Sequence, residues 1–203
     1  MNDYDVHMVN DRSTKNVELE LKILSKIEES ENLSQRMISK DLNVALGLAN
    51  SLIKKFVKKG FLKLKEAPMK RYLYYLTPKG LLEKTKLTRE FLETSLFFFK
   101  KSKEEYENEF KKIKNKNKII VLCGISDFTD IAILAAKIQN VEISYIYQKK
   151  DKRENYCGIE IIGNLIKIKQ KKNVHFFATD NQKNPSLISR NNHTFFKPKS
   201  LIE

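Results

Sequence analysis

The stretch Val44-Ala45-Leu46-Gly47-Leu48-Ala49-Asn50-Ser51-Leu52-Ile53-Lys54-Lys55-Phe56-Val57-Lys58-Lys59-Gly60-Phe61-Leu62-Lys63-Leu64-Lys65 changes its hydrophobic period once, and that change decides the fold. Before Gly60, the apolar residues Ala49, Leu52, Ile53, Phe56 and Val57 recur at i, i+3, i+4, i+7 and i+8, the core face of an amphipathic helix. Gly60 stands where a helix C-terminal glycine belongs, just after Lys58 and Lys59 in the last turn. Beyond it, Phe61 to Lys65 alternates apolar and basic residues, the period of a strand. Tyr72 to Leu76 is aromatic and strand-prone, and Glu66-Ala67-Pro68-Met69-Lys70-Arg71 joins the two runs into a hairpin.

The elements on either side complete the pattern. Upstream, Ser34 is placed to cap a short helix, Gln35 to Asp41, whose inward residues are Met37, Ile38 and Leu42. A turn at Leu42-Asn43 separates it from a helix spanning Val44 to Lys59. Leu21, Leu24 and Ile27 keep helical spacing within Val17 to Ser30, behind a polar tail over residues 1–15. Downstream, Thr77-Pro78 is a helix start, and no proline and no glycine after Gly80 interrupts the chain until about Lys116. That long helix carries apolar residues at Leu81, Leu82, Leu87, Phe91, Leu92, Leu96, Phe98, Phe99, Tyr106, Phe110 and Ile113. Such a stripe exceeds what one small domain can cover, so a homodimer is expected. Helix, short helix, turn, helix and basic hairpin together predict an α+β winged helix-turn-helix over residues 16–79, followed by a connecting helix over 80–116.

The charge distribution points to the ligand of this first half. The 203 residues carry a net charge of +14, of which residues 34–79 hold +9 from eleven basic and two acidic side chains. Residues 1–33 are net −4, residues 80–116 +3 and residues 117–203 +6. A concentration of this kind is the footprint of a surface for a phosphate backbone, and double-stranded DNA is the expected partner. With the helix from Val44 to Lys59 in the major groove, its outward face is Gly47, Leu48, Asn50, Ser51, Lys54, Lys55 and Lys58. Gly47 lets backbone approach DNA, Asn50 can pair bidentately with adenine, and Ser51 and the lysines suit phosphate or guanine. Gln35 and Arg36 open the preceding helix, and Lys70 and Arg71 at the hairpin tip can reach a minor groove or flanking phosphates.

Gln35-Arg36, Leu42, Leu46-Gly47, Asn50, Lys59-Gly60, the run Tyr72-Leu73-Tyr74-Tyr75-Leu76-Thr77-Pro78-Lys79-Gly80, then Glu83-Lys84 and Leu87-Thr88, resemble the exopolysaccharide-associated MarR-type winged-helix regulators. The resemblance covers residues 17–100, about half of the chain. It implies a bacterial-type transcriptional regulator tied to polysaccharide or surface-sugar gene clusters. Those proteins have a serine where the recognition helix opens, whereas Ala45 stands here. Either Asn43 caps the helix instead, or its first turn is looser.

Residues 117–203 change character. Ile119-Ile120-Val121-Leu122 is a continuous apolar run ending near Gly124. A helical segment, Thr129 to Gln139, and another apolar run, Val141 to Tyr147, follow it. Strand, helix and strand with short loops predict a small α/β parallel sheet covered on both faces, with further strands at Ile159 to Ile162 and Val174 to Thr179. Leu165 to Lys172 reads as a helix or an edge strand. The layout from Lys118 to Gly163, including Tyr156-Cys157-Gly158-Ile159-Glu160-Ile161-Ile162-Gly163, looks like the Rossmann-like domains found beside sugar-nucleotide and polysaccharide-biosynthesis proteins. Gly124, Ser126 and Asp127 sit where open α/β sheets bind ligands, at a helix start whose free amides favour a phosphate, although the Asp127 carboxylate repels one and can itself cap the amides. The G-x-G-x-x-G fingerprint is absent, so no dinucleotide cofactor is expected; a nucleotide or nucleotide-sugar effector and a docking or dimerisation role are the two readings of this part.

Other chemistry finds little footing. Cys123 and Cys157 are too few for a disulfide scaffold, and no four-ligand zinc site is expected from them. His7, His175 and His193 have no partner pattern for metal or nucleophile chemistry, and His175 reads as a packing residue in an apolar strand. No apolar run approaches a membrane span and the N-terminus has no secretory pattern, so a cytoplasmic chain without a membrane partner is expected. Two other functions compete with the DNA-binding regulator: a small nucleotide-sugar-handling enzyme with a winged-helix docking appendage, and a winged helix that contacts the transcription machinery instead of promoter DNA.

Overall fold

The computed structural model describes residues 14–30, 33–67, 71–113, 118–166, 168, 171–180 and 194–201, and the chain divides into two compact units, residues 1–95 and 96–203. The division falls inside the long helix, at neither of its ends. Among the described residues, no helix is long and apolar enough to cross a membrane. The expected tail lies outside the description through residue 13, while residues 14–15 already belong to the first helix.

The first unit contains helices α1 (Thr14–Glu29), α2 (Gln35–Asp41) and α3 (Leu46–Lys58), then strands β1 (Leu62–Ala67) and β2 (Arg71–Leu76) as an antiparallel hairpin. This is the element order of a winged helix. α1 begins three residues earlier than its apolar spacing suggests, because polar residues can extend a helix whose next turns are anchored. Those anchors, Val17, Ile23, Leu24 and Ile27, pack with Leu33, Ile38, Ile53, Phe56, Phe61, Leu62 and Tyr74 in one core. Ser34 caps α2 as its position predicts, accepting a hydrogen bond from Met37 N at 3.2 Å. Met37 itself is exposed, not inward, because a seven-residue helix turns only Ile38 fully into the core. The start of α3 has no side-chain cap: Ala45 occupies the cap position, and Asn43 does not cap but adopts φ 50° in the preceding turn. That turn is held by Ser39, whose hydroxyl donates to Val44 O at 2.7 Å and whose carbonyl accepts from Val44 N at 3.0 Å.

Helix α4 (Pro78–Lys112) begins on Thr77, a buried residue. Its hydroxyl lies 2.7 Å from Gly60 O and 3.1 Å from Phe61 O as a donor, and accepts from Gly80 N at 3.0 Å. A Cβ at position 80 would stand 2.1 Å from the Phe61 carbonyl oxygen, so only glycine allows this approach. Leu87 is fully buried in the first core and Phe91 packs against it. The far end of the same helix supplies Tyr106, Phe110 and Ile113 to the second unit. Residues at both ends of the apolar stripe are therefore consumed by a core, while Leu81, Leu82, Leu92, Leu96 and Phe97 stay exposed.

Among its described residues, the second unit holds a six-stranded sheet in the order β5-β6-β4-β3-β7-β8. Its strands are β3 (Ile119–Cys123), β4 (Tyr145–Tyr147), β5 (Asn155–Tyr156), β6 (Ile159–Ile162), β7 (Val174–Ala178) and β8 (Thr194–Phe196). All pairings are parallel except β5 with β6. Helix α5 (Asp127–Ile138) crosses from β3 to β4 and starts two residues before the expected Thr129. The run expected as a strand from Val141 pairs only from Tyr145, and the described residues of 165–172 form turns, neither helix nor strand. Both β5 and β8 escape a sequence reading because two or three residues carry no period.

Alternation along β3 and β7 explains why both faces are covered. Ile120, Leu122 and Phe177 face a cluster with Ile131, Ala132, Ala135 and Ala136 of α5 and the three α4 residues; Val121, Cys123, Val174 and Phe176 face Ile162, Leu165 and Ile168. The Phe110 and Phe177 rings lie 4.6 Å apart, and Tyr106 donates a hydrogen bond to Ala178 O at 2.5 Å. Burial pushes the Tyr106 hydroxyl pKa upward, keeping it a donor. Gly124 follows β3 at φ 107°, and a Cβ there would lie 2.2 Å from Asp180 Cβ. Gly124→Ala should thus cost about 2–4 kcal/mol of stability from strain and overpacking, read as an earlier denaturation midpoint; a midpoint equal to wild type contradicts this close approach.

Candidate nucleic-acid interface

The sequence on α3 sorts itself by helical period. Ala49, Ile53 and Phe56 are buried, and the opposite side presents Gly47, Leu48, Ser51, Lys54 and Lys58, all exposed. No acidic residue lies between Leu46 and Lys58. Arg36 on α2 is exposed, as are Lys63 and Lys65 on β1. Lys59 and Lys79 both lie over the Phe61 ring, at 5.6 and 5.7 Å, which holds two more cations at the junction of α3, hairpin and α4. The alternation of β1 announces Lys63 and Lys65; the pairing of Lys59 with Lys79 has no local signal.

Three of the residues singled out for the DNA face are placed differently. Lys55 forms an ion pair with Glu20 of α1 at 2.6 Å, and the Glu20 side chain is only 4% exposed. Its ammonium is therefore engaged within the unit, a use invisible in sequence because 35 residues separate the partners. Asn50 is half-buried on the flank of α3, and its Oδ1 is enclosed without a hydrogen-bond partner among the described residues. Gln35 donates to the Tyr74 hydroxyl at 2.7 Å, tying α2 to β2, and burial raises the Tyr74 pKa. Lys70 lies outside the described residues, and Arg71 is placed as the first residue of β2, opposite Ala67, with its side chain outside the description.

The ligand-binding residues expected in the second unit, Gly124, Ser126 and Asp127, do come together at the carboxyl ends of β3 and β7. They meet there with a different chemistry. Ser126 caps α5, accepting from Phe128 N at 3.2 Å and donating to Thr179 O, while Thr129 accepts from Ser126 N at 2.9 Å and donates to Gly124 O at 3.1 Å. These bonds complete a capping box, so the amides expected to be free for a phosphate are occupied by the chain itself. Gly124 leaves room for Asp180, not for a ligand. The cleft beside them, about 430 Å³, is lined by Phe98, Phe99, Phe128, Ile131 and Leu201 with Ser126, Asp127 and Asp180. Two carboxylates on apolar walls repel a phosphate.

Cys123 and His175 lie in the sheet of the second unit. Burial pushes the Cys123 thiol up to about 12, and His175 is held below its usual pKa by burial and by Lys118. Cys157 is exposed in the turn between β5 and β6; His7 and His193 lie outside the described residues. Among the described residues no group of three or more His, Cys, Asp or Glu is arranged to hold a metal ion.

No family model matches this chain, and no curated protein matches it. Among solved structures, the crystal structure of Streptococcus pneumoniae FabT in complex with DNA is similar, at 20% sequence identity over 66% of this chain and 76% of that chain, with a TM-score of 0.34.

Proposed function

We propose that this chain is a transcriptional regulator that binds double-stranded DNA sequence-specifically as a homodimer, with α3 in the major groove, the β1–β2 hairpin as wing, and the second unit as a Rossmann-like regulatory or docking module. The outward face of α3 carries the reading: Lys54 and Lys58 stand exposed with no acid on the helix, inside a segment of net charge +9. A helix of that charge on a rigid three-helix core suits a groove flanked by phosphates. Exposed Leu82, Leu92 and Leu96 on α4 support a second copy as partner, and a dimer would read two half-sites. The resemblance over residues 17–100 supports polysaccharide or surface-sugar genes as targets. For the second unit, the capped start of α5 and the carboxylates of Asp127 and Asp180 favour a docking role or an uncharged or cationic effector over a nucleotide.

Lys54→Glu with Lys58→Glu should weaken binding to every duplex. It should also reduce the slope of log affinity against log salt by about two, one phosphate contact per lysine. Fluorescence anisotropy of labelled duplexes across a salt series reads both. Salt-independent binding by the wild type, or an unaltered double variant, overturns the reading.

Lys55→Met, in contrast, should lower stability in urea by about 1–3 kcal/mol, because Glu20 loses a charge-assisted bond. Its DNA salt slope should match wild type. A stability equal to wild type removes the Lys55–Glu20 ion pair as a stabilising contact. Leu92→Lys with Leu96→Lys should sediment as a folded monomer with reduced affinity for a two-half-site duplex. A wild-type monomer at high micromolar concentration excludes the dimer.

A further inference from the structure

The face that α3 presents is poor in the side chains that read bases by hydrogen bonding. Recognition helices contact base edges mainly from their N-terminal residues, through arginine or lysine to guanine, asparagine or glutamine to adenine, and carboxylates to cytosine. In the N-terminal half of α3 the exposed residues are Leu46, Gly47, Leu48 and Ser51. None of them can make a bidentate bond to a base. Asn50 cannot present both amide atoms to adenine while its Oδ1 is enclosed, and Gln35, on α2, has its Nε2 bonded to Tyr74. Lys54 and Lys58 lie further along the helix. What remains for base contact is apolar: Leu48 is 46% exposed, a leucine held in water on the outward face.

We infer that α3 reads sequence chiefly by apolar contact of Leu48 with the 5-methyl group of thymine, so that the duplex selected by this chain carries thymines opposite the N-terminal half of α3. The inference rests on the DNA-binding reading above. Thymine is the one base with a methyl group in the major groove, and apolar side chains are its natural complement. Gly47 has nothing within 4 Å of where its Cβ would stand, which leaves open space beside Leu48 for a base edge. Ser51, one turn on, can bond any base or a phosphate and so adds contact without choosing a base. The charge on the same helix selects DNA over an apolar protein partner as occupant: Lys54 and Lys58 are exposed on α3, and no acid on α3 opposes them.

The test uses the full chain. A random-sequence duplex pool is selected on the protein and sequenced, and the enriched duplex is then synthesised with deoxyuridine in place of thymine at single positions, which removes only the methyl group. At the thymines facing α3, each replacement should weaken wild-type binding about fourfold, the worth of one buried methyl-sized group. Leu48→Ala, at an exposed position that leaves the fold intact by circular dichroism, should bind the thymine and deoxyuridine duplexes alike, whereas Asn50→Ala should keep the full penalty. Equal wild-type affinity for the two duplexes, or an undiminished penalty in Leu48→Ala, overturns the inference while leaving DNA binding in place. A pool with no enriched sequence overturns the sequence-specific reading itself, and this inference with it.

Discussion

A single hydroxyl, that of Thr77, sets the geometry on which the first unit depends. It lies within hydrogen-bonding reach of the carbonyls of Gly60 and Phe61 and accepts the amide of Gly80, so the end of α3, the start of the hairpin and the first turn of α4 meet at one buried point. The approach works only because Gly80 has no side chain where Phe61 O stands, 2.1 Å from a Cβ position. The Leu-Thr-Pro-Lys-Gly element thus has a mechanical reason. Threonine supplies the cap, proline the first helical φ, and glycine the contact. This is where the C-terminal end of α3 is held.

The outward side of that helix shows how burial re-sorts residues of one chemical type. Lys54, Lys55 and Lys58 are equivalent in sequence, yet Lys55 points along the flank that meets α1 and neutralises a nearly buried carboxylate, while the other two remain in solvent. Placing Glu20 in the interior without a cation would be costly, and Lys55 meets that need at 2.6 Å. Asn50 lies on the opposite flank, close enough to the interior that its oxygen is enclosed. The face left for a partner is narrower and more apolar than the list of polar residues suggests.

Helix α4 makes the same point at larger scale. Its stripe reads as one continuous apolar surface in need of a partner, but Leu87 and Phe91 belong to one core and Tyr106, Phe110 and Ile113 to another. In the second unit, Tyr106 and Phe110 pack on Phe177 at the face of the sheet that α5 also covers. At the sheet's carboxyl edge, the serine and threonine that could have left amides free for an anion satisfy them instead, and two aspartates set the charge of the cleft.

Sequence alone determined the long helices, the hairpin, the apolar strands β3 and β7, the Ser34 cap and the concentration of positive charge in residues 34–79. Each of these is local: a period, a cap three residues from its amide, or a count of charges within a short window. The boundaries that moved did so by up to four residues, from α5 starting two residues early at Asp127 to β4 pairing only from Tyr145. Tertiary structure decided what depends on partners far along the chain. It joined Lys55 to Glu20, Gln35 to Tyr74, Gly124 to Asp180, and the two ends of α4 to separate cores. The short strands β5 and β8 belong with these, since so few residues become strands only when a neighbour accepts their hydrogen bonds. Burial and distance are properties of the packed chain, and no spacing within the sequence encodes which lysine will meet a carboxylate and which will remain in water.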